Sequence, residues 1–479
     1  GKNHLPAPPA PGGKSKAKIR RAKSQQQPNI DRLPRSVINR PLGSLIQKRA
    51  VTFKLGMHLL TELKPSRRND LGPSARPSRL PLRVRSLGAS LLFAASLHSE
   101  PFLPSNEAVV IATLRTGRLT AIDRELRSLR DALAANPTYL PLALEVARRG
   151  IERSRLEADP RFLSQAQVAL KPWWTQTSPP VEVLILRATI RQSRHDFSTA
   201  LADLDLALAR DPHQVQAWLT KATLHTVRAE FVAARQAIAH LLGLTDELTL
   251  TTAAAQIAAL TGHASQACVQ LETVLARSAP SDSALVSSGP VSDQARLVWA
   301  KSLLAETYAR LGRPADAERV FRSALSQGPR DPYLLGAFAD FLLDQRRPIE
   351  VITLLQNYRR LDGLLLRLAE AEAQATGNPQ PDSLSTLTAR FDAARIRGDR
   401  VHLREEARFE LRLRKNPAAA LVHARDNWQV QREPIDARLL LEAAHAVGEA
   451  AVTREVQQWI KQTGLEDVAL HPITLARDP

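Results

Sequence analysis

A chain of 479 residues that is 44% hydrophobic and 24% charged is long for one compact core and too apolar to be disordered throughout, so several cores or one long repetitive core are expected. The formal net charge of +18 suggests an anionic partner, but residues 1–85 hold 20 Lys and Arg against 3 acids, Asp31, Glu62 and Asp70, which leaves the remainder nearly neutral with 46 bases and 45 acids. Total charge therefore does not support a basic nucleic-acid-binding body, and the single cysteine, Cys268, excludes an intramolecular disulfide and a cysteine-based zinc cluster.

The opening stretch GKNHLPAPPAPGGKSKAKIRRAKSQQQPN mixes Pro, Gly, Lys and Gln without apolar periodicity. Residues 1–85 read as a disordered basic extension, because such a composition buries too little surface to offset its ordering entropy. A basic tail touching nucleic acid or membrane is one reading of it, and translated sequence upstream of a true start is another. In RLPLRVRSLGASLLFAASLHSEP, residues 79–101, Arg79, Arg83 and Arg85 precede the apolar run Leu87–Leu97. That is the layout of a secretory signal over residues 86–99 and implies export to a periplasm or medium. The alternative is a cytoplasmic protein in which the same run caps the first repeat as a short helix. Eleven residues fall far short of the roughly 20 needed to span a bilayer, so no stable membrane span is expected. Leu97-His98-Ser99 is a poor cleavage site and no cysteine follows the run for lipid anchoring. SRRNDL, residues 66–71, resembles a twin-arginine signal but has Asp70 where an apolar residue is usual.

From about residue 105 the apolar spacing is helical to the end, with helices of 10 to 16 residues broken by Gly, Asn-Pro and Asp-Pro, and no strand period persists. Two longer breaks, SAPSDSALVSSGPVSD at 278–293 and TGNPQPDSLS at 376–385, read as a flexible insertion and as joints at the level of domains. They divide the body into repeats over 105–375 and degenerate helical repeats over 386–479.

Within that body, Phe197 and Phe231, Ala200 and Ala234, and Leu204 and Ile238 are each 34 residues apart. In LLAETYARLGRPADAERVFRSALSQGP, Leu304, Ala305, Tyr308, Ala317, Phe321, Ala324 and Pro329 follow in a fixed order and spacing. Small Ala305 and Ala317 let two antiparallel helices approach, Tyr308 and Phe321 fill the space beside them, Ala324 makes room for the next unit, and Pro329 ends the second helix. The period and these residues resemble the tetratricopeptide repeat family. A further unit starts at Trp218 with Ala222 at the small position, and another runs through Phe338, Ala339, Val351 and Leu355. Degenerate units are readable around 132–137, 166–170 and 254–275. The resemblance implies an all-α fold: a right-handed superhelical solenoid of antiparallel helix pairs, its concave face lined by first helices. It also implies a non-catalytic scaffold that holds a peptide or partner protein in that groove, with no cofactor.

In two adjacent units the seventh consensus position is cationic, Arg187 and Lys221, and the eleventh is Arg191 and His225. With Arg194 and Gln192 these form a basic stripe suited to an acidic peptide. The competing reading pairs Arg187 and Arg191 internally with Asp203 or Asp205. The family's carboxylate-clamp residues are not reproduced, since the corresponding groove positions are Thr189, Gln192, Thr223 and Thr226.

RGDRVHLREEARFELRL at 397–413 and NWQVQREP at 427–434 form the densest polar region of the C-terminal part. His402 and Glu406 are spaced i, i+4, which suits a metal or proton-transfer pair, with a surface ion pair as the plainer reading. Asn427, Gln431 and Arg432 read as capping a helix joint around a core Trp428, with Pro434 opening the next turn. These strings resemble those of uncharacterised bacterial repeat proteins, from which no activity carries over. Phosphate loops, G-x-S-x-G and H-E-x-x-H are missing, so an enzyme or metal protein centred on 397–434 is the weaker alternative.

Overall fold

The computed structural model describes residues 121–157, 159–278, 290–327 and 331–470, all within the unit Ala50–Pro479. The basic extension 1–85, the signal-like segment 86–99 and the expected start of the repeats at 105–120 lie outside the described residues, as does most of the 278–293 break. Every regular element among the described residues is a helix.

Four helices come first: α1 (Ala121–Ala135), α2 (Leu140–Glu157), α3 (Arg161–Ala169) and the single turn α4 (Lys171–Trp174). Eight antiparallel pairs follow: α5 (Val181–Ser193) with α6 (Phe197–Arg210), α7 (Val215–Val227) with α8 (Phe231–Ala239), α9 (Glu247–Leu260) with α10 (Ala264–Arg277), and α11 (Pro290–Arg310) with α12 (Pro314–Gln327). The remaining four are α13 (Pro332–Asp344) with α14 (Pro348–Leu355), α15 (Asp362–Thr376) with α16 (Pro381–Ile396), α17 (Leu403–Arg412) with α18 (Pro417–Trp428), and α19 (Pro434–Val447) with α20 (Ala450–Thr463). The chain is a solenoid of helix pairs, as the repeat implies.

The repeat is the packing register, with steps of 34, 33 and 34 residues and one of 50 across the 278–293 stretch. Ala200, Ala234, Ala267, Ala317 and Val351 take the same place on α6, α8, α10, α12 and α14, and all are fully buried. One turn later Leu204, Ile238, Leu271, Phe321 and Leu355 fill the space those small residues leave between paired helices. Gly150 is a more extreme case, since a Cβ there would meet the Phe162 carbonyl at 3.0 Å and Ala166 Cβ at 3.1 Å, so α2 and α3 cross closely enough that any side chain would have to push its neighbours aside. Starts are set locally: Asp246 and Asp331 accept hydrogen bonds from Thr249 N and Tyr333 N, and Pro332, Pro348, Pro381, Pro417 and Pro434 open their helices, where no partner for N–H is needed.

Two expectations change. Helix lengths leave the expected range, with 18 residues in α2 and 21 in α11, which begins at Pro290 inside the supposed insertion. The boundary at 376–385 is the turn within the pair α15/α16. Gly377 (φ 88°) makes that turn, and Leu387 and Phe391 of α16 join Leu364 of α15 and Phe409 of α17 in one continuous core. The physical reason is that Leu387 and Phe391 serve α16 as Ala317 and Phe321 serve α12, so the pairs continue without a domain joint.

Later pairs also pack back on earlier ones. Arg432 N donates to Val227 O at 2.7 Å, Val468 N to Arg310 O at 2.9 Å, and Ala264 N to Glu466 Oε2 at 2.8 Å. Arg155 of α2 pairs with Asp331 at the start of α13. A Cβ on Gly262 would stand 3.4 Å from Gly464 O, so the two turns approach closely. Neighbour-to-neighbour stacking alone would give none of these contacts.

Candidate functional site

The groove side of each first helix can be located from the register. Thr189, Thr223, Gln256, Glu306 and Asp340 each precede the small residue of the following second helix by eleven positions. Thr223 and Gln256 are buried, and Glu306 accepts from Tyr333 Oη at 2.7 Å.

The basic stripe is largely occupied. Arg187, 5% exposed, donates from Nε and Nη2 to both oxygens of Asp203 at 2.9 and 2.7 Å, and from Nη1 to the carbonyls of Trp174 and Gln176. Every donating nitrogen of that guanidinium is used, so Arg187 is removed as a ligand candidate: the buried carboxylate claims it. Arg191 reaches the same Asp203 at 2.6 Å and lies over the Trp174 ring. Asp205 is not the arginines' partner; it pairs with Lys221, whose ammonium also sits over Trp218. His225 meets Glu230 at 2.6 Å. Of the sequence candidates, only Gln192 and the exposed Arg194 keep side chains without a partner among the described residues.

The C-terminal cluster is a structural network. Arg404 forks onto Asp436 at 2.6 and 2.8 Å and reaches Glu433, Asn427 Nδ2 donates to Asp436 Oδ1, and Gln431 Nε2 donates to Asn427 Oδ1. Burial disfavours the charge on Arg404, yet Asp436 and Glu433 outweigh it and raise its pKa well above the ordinary value. Trp428 is core, edge-on to Trp459, with Arg432 across its face. His402 and Glu406 do not form a ligand pair. His402 precedes α17 with its ring tilted toward Phe391, while Glu406 faces Arg395 at 3.1 Å and His423 at 3.9 Å. Burial raises the Glu406 carboxyl despite Arg395. Among the described residues no group of three or more His, Cys, Asp or Glu is placed to hold a metal ion.

Beside this network lies a feature that sequence reasoning missed: an alternating ladder of charges across the first helices α13, α15, α17 and α19. Arg367 bonds Asp340 at 2.6 Å, Asp340 bonds Arg408 at 2.7 Å, and Arg408 bonds Glu370. Glu370 faces Arg412 at 3.5 Å, Arg412 bonds Glu442 at 3.1 Å, Glu442 bonds Arg438 at 2.8 Å, and Arg438 forks onto Asp344 at 2.8 and 2.9 Å. Burial opposes ionisation of Asp340 and Glu442, but Arg367 and Arg408 hold the first, and Arg412 and Arg438 the second, below the usual carboxylate range. The spacing of Arg404, Arg408 and Arg412 at i, i+4, i+8 was the available signal.

A cleft of about 550 Å³ opens at the start of α16, lined by Arg359, Arg360, Gln380, Asp382, Ser383 and Arg390. Its cations are mostly spent: Arg359 on Glu372 and Ser383, Arg390 on Asp362. No described helix is long and apolar enough to cross a membrane.

Comparison with known proteins agrees with the helix-pair register. A tetratricopeptide repeat family model matches residues 298–341, which span most of α11 through α13. No curated protein matches the chain. Among solved structures, a tetratricopeptide repeat protein from Parabacteroides merdae is 12% identical over 67% of this chain and 92% of its own, at a TM-score of 0.25, too low to relate the two arrangements.

Proposed function

We propose that this chain of tetratricopeptide repeats is a non-catalytic scaffold that holds a peptide or partner protein against its first helices. The observation that carries the reading is the repeat match over 298–341 within a succession of helix pairs. Such pairs present one side of each first helix to a common groove, which suits an extended or helical peptide. The polar groups of 397–434 are spent on one another and on Asp340, Glu370, Arg395 and Asp436, which supports binding over the catalytic or metal alternative. A random dodecapeptide display library selected against the full chain tests this. Enrichment of peptides sharing a motif is the expected outcome, and Arg194→Glu tells whether the exposed cation beside α5 contributes. Absence of any enriched peptide, with the native chain and with a variant in which the groove is opened, overturns the reading.

A further inference from the structure

The groove floor from α7 to α11 is buried by the chain itself. Thr223 of α7, Thr252 and Gln256 of α9, and Trp299 and Ser302 of α11 are all 8% exposed or less. Trp299 belongs to one apolar cluster with Leu219, Ile257 and Leu260 of the floor and with Ala437, Leu440 and Leu441 of α19. This cover is fastened by polar contacts at its margins: Arg432 N to Val227 O, Val468 N to Arg310 O, Ala264 N to Glu466, and the Arg438 fork on Asp344.

Under the cover, polar atoms go unmatched. Thr252 Oγ1, Gln256 Oε1 and Trp299 Nε1 have no hydrogen-bond partner among the described residues, and they lie on two successive first helices. Buried polar atoms are ordinarily satisfied, and leaving one unmade costs stability, so the apolar side chains of α19 are a poor chemical match for this floor. The three unmatched groups are themselves uncharged, and Glu306, the charged groove position of α11, is taken up by Tyr333 Oη.

We propose that α7, α9 and α11 form a binding surface for an uncharged polar peptide, and that α17–α20 with residues 465–470 are its resident cover. The peptide's amide groups supply the donors for Gln256 and Thr252 and the acceptor for Trp299. The proposal rests on the scaffold reading above and names the site and its control. Because the cover competes in the same molecule, apparent affinity is reduced by the fraction of chains that are open.

A covalent lock tests it in the full chain. A Cβ placed on Gly312 stands 4.0 Å from Val468 Cβ, within the roughly 3.5–4.5 Å a disulfide needs. Gly312→Cys with Val468→Cys therefore fastens the cover, with circular dichroism checking that helicity is kept. Arg438→Glu sets like charges against Asp344 and Glu442 and loosens it. The library peptides are expected to bind the oxidised double variant at least about tenfold more weakly than its reduced form, and Arg438→Glu more tightly than the native chain. Thr252→Val and Gln256→Leu, which keep the floor's volume, should remove the gain seen in Arg438→Glu. Equal binding to locked and reduced forms overturns the cover and the site while leaving the scaffold reading standing. Absence of peptide binding to every form overturns both.

Discussion

The turn inside each pair needs a left-handed residue, and the chain meets that need unevenly. Gly262 and Gly312 have φ of 79° and 70° there, but the equivalent positions are His195 (59°), Ala229 (59°) and Arg346 (57°). A Cβ in that region costs on the order of 1 kcal/mol. Arg346 is exposed and carries no side-chain partner among the described residues. Arg346→Gly is accordingly expected to stabilise the chain by about 0.5–1 kcal/mol, part of the relief being offset by the greater freedom of glycine when unfolded. Urea titration followed by circular dichroism checks it, and an unchanged or lowered midpoint counts against the strain. In the sequence, Gly262 and Gly312 announced their turns, whereas His195, Ala229 and Arg346 showed theirs only through the 34-residue register. Likewise an acid near Arg187 and Arg191 was legible from composition. Which of Asp203 and Asp205 faces them depends on side-chain direction, and neighbours two apart on a helix point to different sides.

At the scale of helices, pairs and their small residues were readable because each repeat packs through positions that recur within one short window. The ladder of α13, α15, α17 and α19 was not, since its rungs join side chains from helices far apart in sequence and any basic helix shows the same spacing. Its centre is the pair Arg408 and Glu370, both 4% exposed at the side chain. Removing one member of a buried pair leaves an uncompensated charge, so Arg408→Met should cost about 3–5 kcal/mol. Replacing both, Arg408→Met with Glu370→Met, should restore most of that loss, because two apolar side chains of similar volume avoid the desolvation that the pair suffers. Thermal melts of the two variants check this. A double variant no better than the single would show that Arg408 matters chiefly through Asp340.

Across the whole molecule, stability should fall in acid. Hydrogen bonds from Arg347 and Arg322 lower the Glu318 carboxyl to about 2, despite the burial that opposes them, and Asp340 and Glu442 are lowered as described. A carboxylate lowered on folding stabilises the folded state above its unfolded pKa, near 4, and that contribution is lost as pH falls through the folded value. Denaturant midpoints should therefore decline between about pH 4.5 and 2, and more shallowly in Glu318→Gln with Glu442→Gln. Equal slopes in variant and native chain would remove these groups from the account. The back-packing of late pairs on early ones was beyond sequence reasoning for the same cause that makes it informative: Arg155 and Asp331 are separated by 176 residues, and no local pattern marks them as neighbours.

That back-packing limits how such a protein can change. An open array built only from nearest-neighbour contacts tolerates the gain or loss of a unit at any point. Here Arg155 must find Asp331, Val227 must find Arg432, and Arg310 must find Val468. Inserting or deleting one helix pair between 310 and 331, which all three contacts span, would put all three out of register together, and anywhere else between 155 and 468 it would put out at least one. Although assembled from duplicated modules, the chain has a fixed copy number, and variation is confined to the stretches that these long-range contacts do not count.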